Sequence, residues 1–385
     1  FLSEVLRPAE TTHEWLQQKN LAELALSGVN RIDCAGPEEE ARVIALMMRE
    51  ALETPGRTAA LVTPDRSLAR RVAAEVRRWN VEIDDSAGQP LGETTCGIFM
   101  RLVATLVAER LSPVSLLAVL KHPLAAAGRP RQEFQRLVRL LELRVLRGAR
   151  PGSDIDGLLA AVELSGQADE LLTFVYDLGS RLSGLLIAPH SDVVPIADVL
   201  QHHVLACEAL AANEHEDGAA RIWSGDAGEE LASFIDELHQ ASMGLAPILL
   251  SDYAGLLTRL LASRVFRPRW GLHPRLRIWG LLEARLQSAD VMILGGLNEG
   301  SWPPETKADP WLSRPIRDSV GLPSPERRIG LTAHDFVQAL SAPEVFLTRS
   351  ERVEGVPTVP SRWLLRMDTF LTKSGQRLLS DRPWK

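Results

Sequence analysis

Between Ser288 and Pro304 the chain reads SADVMILGGLNEGSWPP. Its apolar run, Val291 to Leu294, breaks into two glycines, then Asn298 and Glu299, a third glycine and Trp302-Pro303-Pro304. A short apolar run bounded by Gly and Pro is the pattern of a strand buried on both faces. Such strands belong to parallel sheets, and ligands gather at the carboxyl ends of those sheets. The stretch therefore predicts an α/β fold and directs attention to Asn298, Glu299 and Trp302. A buried strand followed by a purely structural turn is the competing reading.

The flanking sequence carries the same rhythm. Val29 to Cys34, Thr58 to Thr63 (TAALVT) and Val81 to Ile83 read as strands. Helical spacing from Pro37 and from Ser67 to Trp79 separates them, as in an open α/β sheet. Pro at the first turn and Glu38, Glu39 and Glu40 behind it suit a helix start, where the dipole favours anions. From about Met100 the pattern becomes helical almost throughout, and strands return at Leu276 to Trp279, Val291 to Leu294 and Val345 to Thr348. The expected organisation is a helical lead-in (1–28), a first part of an α/β domain (29–100), an all-helical insertion (101–274), a second part (275–372) and a polar linker (373–385).

A chain of 385 residues accommodates two domains. It opens without Met and closes on SDRPWK, and so reads as an excerpt from something longer. No apolar run approaches 18 residues, so no membrane span is expected. Cys34, Cys96 and Cys207 form neither a CxxC pair nor a Cys/His cluster. That pattern predicts neither disulfides nor zinc, and a reducing cytoplasm. Net charge is −7, which excludes a wholly basic nucleic-acid binder, but the charge is uneven. Arg129 to Arg150 holds seven arginines against two glutamates, and Arg264 to Arg285 six against one. Glu208 to Glu237 holds nine acids and one arginine. Basic stripes can follow a nucleic acid, or can simply be solvated helix faces.

Several chemistries fail on their residues. A phosphate-binding loop needs GxxxxGK[ST], and none of the five lysines follows a glycine. Asp290 with Glu305-Thr306-Lys307 imitates the spacing of a metal-dependent nuclease. The flanking prolines oppose the strand that this chemistry requires. His190, His202, His203 and His215 lack metal-ligand spacing. The features that favour nucleic acid are Arg70, Arg71, Arg77 and Arg78 along one helix face, and SRVFRPRWGLHPRLRIW. The latter interleaves Arg264, Arg267, Arg269, Arg275 and Arg277 with Phe266, Trp270 and Trp279. Arginine neutralises phosphate while aromatic faces stack on unpaired bases. Trp279, within a strand, is expected in the core.

The segment order PEEEARVIALMMREAL, TAALVTPDRSLARRVAAEVRRWNVEIDD, CGIFMRLVATLVAERLSPVSLLAVLKHP resembles the second RecA-like domain of superfamily-one (UvrD-like) helicases, up to its helical insertion. ADVMILGGLNEGSWP resembles the strand and loop closing helicase motif V, and SPERRIGLTAHDFVQALSAPEVFLTRSE resembles motif VI. LLEARLQSADVMILGGLNEGSWPP, LELRVLRGARPG and LKHPLAAAG are similar to the AddB family, most closely its alphaproteobacterial type. Members of that family are subunits of AddAB helicase/nucleases.

The departures from the helicase pattern carry weight. The motif V lysine falls on Arg285, its glycine on Leu286 and its glutamate on Ser288. Glu326, Arg327 and Arg328 match the start of motif VI, but its later arginine falls on or near Phe336. Arg7 stands as a remnant of the motif IV arginine. An arginine finger is worth about 10³ to 10⁵ in rate. The resemblance thus implies a RecA-like domain without ATPase activity, no catalytic residue and no cofactor in this segment. It implies a partner of the AddA helicase/nuclease type, work on double-stranded DNA ends in double-strand-break repair, and a share in a single-stranded DNA channel and in Chi recognition. Arg264 to Trp270 and the loop of Asn298, Glu299 and Trp302 would line the DNA path. An iron–sulfur cluster and Mg2+ would belong to a nuclease domain beyond Lys385. The alternative is a scaffold that docks the partner subunit without touching DNA.

Overall fold

The computed structural model describes residues 2–7, 9–17, 28–166, 168–186, 193–268, 272–305, 309, 311–373 and 378. The chain divides into two compact units, one made of residues 1–87 and 270–385, the other of 88–269.

The first unit is built from β1 (Val29–Cys34), α1 (Pro37–Glu53), β2 (Ala59–Val62), α2 (Arg66–Arg77) and β3 (Glu82–Asp85). After the interruption come β4 (Leu272–Trp279), β5 (Val291–Leu294), α3 (Arg327–Ala339), β6 (Glu344–Ser350) and α4 (Arg362–Lys373). The six strands form one parallel sheet in the order β1-β6-β5-β2-β4-β3. This is the α/β architecture expected of a RecA-like domain. All four residues of β2 and of β5 are buried, as strands covered on both faces must be.

Side-chain alternation distributes each strand between two cores. Leu61, Ile278, Ile293 and Phe346 join residues of α1 and α2, among them Ile44, Met48 and Val72. Val62, Met292, Leu294 and Leu347 join Phe336, Trp363, Met367 and Leu371 of α3 and α4. Each fully buried aliphatic side chain contributes about 1.5–3 kcal/mol. Helix α1 starts with Pro37 behind Gly36 and carries three glutamates in its first turn. Helix α2 is capped by Asp65, which accepts from the amides of Ser67 (2.8 Å) and Leu68 (3.1 Å), worth about 1 kcal/mol.

The second unit is helical: Thr95–Ala108, Pro113–Leu120, Arg131–Leu141, Asp154–Leu164, Ala168–Leu186, Ile196–Ala211, Gly218–Ile222, Gly225–Ser242 and Leu250–Ser263. The turn Glu142–Leu146, at the end of Arg131–Leu141, is π-helical. One core gathers Phe99, Phe134, Phe174, Leu210 and Leu257. Two short antiparallel ribbons also occur, Gln89–Pro90 with Val265–Phe266 and Val193–Val194 with Ile248–Leu249. The unit runs from 88 to 269, not from 101 to 274. Thr95–Ala108 contributes Phe99, Met100 and Val103 to the helical core, and Leu272 already pairs with Glu82 in the sheet. Of the helical lead-in, Leu2–Val5 is α-helical and Ala9–Gln17 a 3-10 helix. Residues 18–27 and most of the tail lie outside the described residues. Among the described residues no helix is long and apolar enough to cross a membrane.

Candidate functional site

The loop after β5 sits at the carboxyl edge of the parallel sheet, where ligand sites collect in such folds. A cleft of about 590 Å3 opens there, lined in part by Glu38, Glu40, Asp65, Arg71, Glu299 and Glu354. Five carboxylates and one guanidinium thus border a position that would have to be cationic to hold a polyphosphate.

Several backbone donors at this edge are already engaged. Glu39 accepts from the amide of Ala35 at 2.6 Å, and Asp65 takes the first amides of α2. Glu40 is almost wholly buried and accepts from the Gly296 amide (2.8 Å), the Thr348 hydroxyl (2.8 Å) and the Ser350 hydroxyl. Gly296 holds a left-handed φ of +74° at the strand end, a conformation that glycine adopts without steric cost. Burial pushes the Glu40 carboxyl up, nearby Asp65 adds to the rise, and the three hydrogen bonds only partly oppose it. An incoming phosphate would meet repulsion from the carboxylates that line the cleft.

The loop residues are structural. Trp302 is fully buried; its indole nitrogen donates to the Gly295 carbonyl at 3.0 Å, and its ring meets Phe336 and Trp363 edge-on at 5.8 and 6.0 Å. No face remains for a nucleobase, which corrects the expectation that Trp302 lines a DNA path. Asn298 donates to the Ser350 carbonyl (3.1 Å) and accepts from Arg349 Nε (3.1 Å). Arg349 is itself buried and also bonds Asp33 and Thr358. Burial pushes the Asp33 carboxyl up, but Arg31 and Arg349 more than reverse this and leave it below its ordinary value. Glu299 is taken by Arg362, through its amide (3.1 Å) and Nε (3.0 Å).

The basic stripe is largely paired within its own unit. Arg264 bonds Glu230 (2.7 Å) and Glu237 (3.2 Å). Arg275 donates to the carbonyls of Leu52, Thr54 and Arg57, closing the end of α1, and Arg277 pairs with Asp84. Arg267 is exposed, while Arg269 and Trp270 lie outside the described residues. Trp279 is buried in the sheet core, as expected. On α2, Arg77 pairs with Glu82 and Arg78 with Glu75.

The helicase-motif positions fare similarly. Arg7 pairs with Glu4 and Glu14. Arg285 bonds Asp335 at 2.7 and 3.1 Å, Ser288 is exposed, and Phe336 is buried against Trp302 and Trp363. Glu326 pairs with Arg314, while Arg327 and Arg328 are exposed. Asp290 accepts from the amide and hydroxyl of Thr58, both at 2.8 Å, and Thr306 and Lys307 lie outside the described residues. Among the described residues no three His, Cys, Asp or Glu side chains are grouped to hold a metal.

No protein-family model matches the chain. A 170-residue stretch, 44% of the chain, is 23% identical to an uncharacterized protein of Rickettsia felis. That stretch covers 20% of the relative's length.

Proposed function

We propose that the chain is the non-hydrolysing, helicase-like region of an AddB-type subunit of a DNA-end-processing helicase/nuclease. The RecA-like sheet serves as a framework, ATP is turned over by an AddA-type partner, and single-stranded DNA is held through the helical unit. The observation that carries this reading is the carboxylate-lined cleft at the sheet's carboxyl edge. A phosphoryl-transfer site needs cations and free amides where charge develops. Here the acids outnumber the arginine, and of the motif positions Arg285 is held in an ion pair with Asp335 and Phe336 is packed in the core. Cys34, Cys96 and Cys207 are buried cysteines outside any disulfide, which suits the reducing cytoplasm in which such a complex would work.

The test is an ATP-hydrolysis assay on the purified chain with single-stranded DNA present, alongside anisotropy binding of the same oligonucleotide. Binding without turnover is expected; turnover above background would overturn the reading. The docking alternative draws on exposed Trp311, Ile316, Val320 and Leu322, an apolar run more typical of a partner contact than of a DNA contact. Co-purification with an AddA-type partner, without oligonucleotide binding, would favour it.

A further inference from the structure

The helical unit contains a second cleft, of about 550 Å3, within the first arginine-rich stretch. Arg131, Gln135 and Arg139 line it from one helix at positions four apart, so they share a face. Lys121, His122 and Arg147 complete its polar wall. Both Arg131 and Arg139 are exposed, and among the described residues neither has an ion-pair or hydrogen-bond partner. Unlike the 264–277 stripe, this group keeps cations in reserve.

Three further features narrow the ligand. Arg131 and Arg139 stand eight residues apart, roughly 12 Å along the helix axis, so one phosphate cannot serve both and a repeating polyanion can. Beside them are flat and apolar groups. His122 stacks on Phe99 at 5.0 Å and 28°, and Leu143 is half exposed at the rim. The amide of Leu124 donates to His122 Nδ1 at 3.3 Å, which places the proton on Nε2. Burial holds this imidazole below its ordinary pKa, so it is an uncharged planar surface at neutral pH. Finally, Glu142 opens the π-helical turn and pairs with Lys121 (2.6 Å) and Arg147 (2.8 Å). π-Turns recur at functional sites.

We infer that this cleft binds single-stranded DNA, with Arg131 and Arg139 on separate phosphates of one strand and a base beside His122 and Leu143. Glu142 acts as an internal competitor that occupies Lys121 and Arg147 until phosphate displaces it. The inference rests on the reading above that the chain holds single strands, and it names the site.

The test uses the full chain and a fluorescein-labelled thymidine dodecamer, followed by anisotropy across a salt series. Neutralising Arg131→Ala with Arg139→Ala should weaken binding by roughly an order of magnitude and flatten the log–log salt slope by about 1.4. Glu142→Gln should tighten binding with its urea midpoint unchanged, whereas a gain seen only with loss of the folded state would count against the assignment. Crosslinking with iodouracil-substituted oligonucleotide should label the segment 120–147. Unchanged affinity and slope in the double arginine variant, or competition by tripolyphosphate as strong as by oligonucleotide, overturns the cleft assignment while the ATP-silent reading stands. Failure of the unaltered chain to bind the dodecamer overturns the assignment as well. ATP turnover, in contrast, removes the functional reading and leaves the cleft result intact.

Discussion

Arg285 and Asp335 face each other fork to fork, Nε to Oδ1 at 2.7 Å and a terminal nitrogen to Oδ2 at 3.1 Å. One stands where the resemblance puts the motif V lysine, the other next to the motif VI arginine position. The two side chains are committed to one another. Asp335 is buried, so removing the guanidinium strands a desolvated carboxylate. Arg285→Ala should therefore unfold at lower urea than Asp335→Asn. Arg285→Lys with Leu286→Gly, which rebuilds the helicase dipeptide, should still show background ATP hydrolysis, because the carboxylates of the sheet-edge cleft are untouched.

Leu286 holds φ +61° although it is not glycine, and its side chain is 93% exposed. The backbone thus keeps a conformation natural to the glycine that the resemblance expects there, while the side chain packs on little. Leu286→Gly alone should raise stability by about 1 kcal/mol, read as a shifted urea midpoint with an unchanged m-value.

Trp302 anchors the aromatic group with Phe336 and Trp363. Trp302→Ala should cost about 3–5 kcal/mol. Any DNA affinity of the folded fraction should be unaltered, which separates a core role from a stacking role in the same titration.

Glu40 titrates above its ordinary value because it is buried. Its folded form therefore binds a proton more readily than the unfolded chain does, and stability falls as pH rises above about 4.5 toward the folded value. Glu40→Gln retains an acceptor for the Gly296 amide without the buried charge. It should match or exceed the native chain at about pH 8, whereas Glu40→Ala, which orphans three donors, should fall below it. Urea midpoints across pH decide the ordering.

His203 works in the opposite direction. It is fully buried between the Tyr253 hydroxyl (2.9 Å) and the Met100 carbonyl (3.0 Å), and burial lowers its pKa from 6.5 to about 4. Its neutral form is favoured in the fold, so the contribution is complete above pH 6.5 and lost as pH falls toward 4. The loss should reach roughly 3 kcal/mol. Hydrogen exchange of the helical unit should quicken over that range, and less so in His203→Gln.

The sheet was legible because its signal is local. Ala59–Val62 and Val291–Leu294 announce themselves by apolar runs between Gly, Pro and Asp, and Val29–Cys34 by a short apolar alternation. The insertion's edges were less so: Thr95–Ala108 and Leu272–Trp279 straddle the expected borders, and a helix's spacing does not say which core it joins. Helices α3 and α4 did not stand out from spacing alone. The roles of Asn298, Arg264 and Arg275 were hidden for a different reason. Each is decided by a partner far along the chain, Arg349, Glu230 and Thr54 respectively, and pairing over such distances leaves no periodic trace. The arginines at 129–150 were visible as charge, but only the fold shows which of them stay unpaired.

None of the first three sheet strands touches another of the three: β1 pairs with β6, β2 with β4 and β5, and β3 with β4. During synthesis, then, not one ladder of this sheet can close until residues from Leu272 onward have left the ribosome. The helical unit, contiguous from 88 to 269, can mature first while the earlier strands wait with open hydrogen-bonding edges. A nascent chain stalled near residue 270 would carry a folded bundle beside strands with unpaired, adhesive edges.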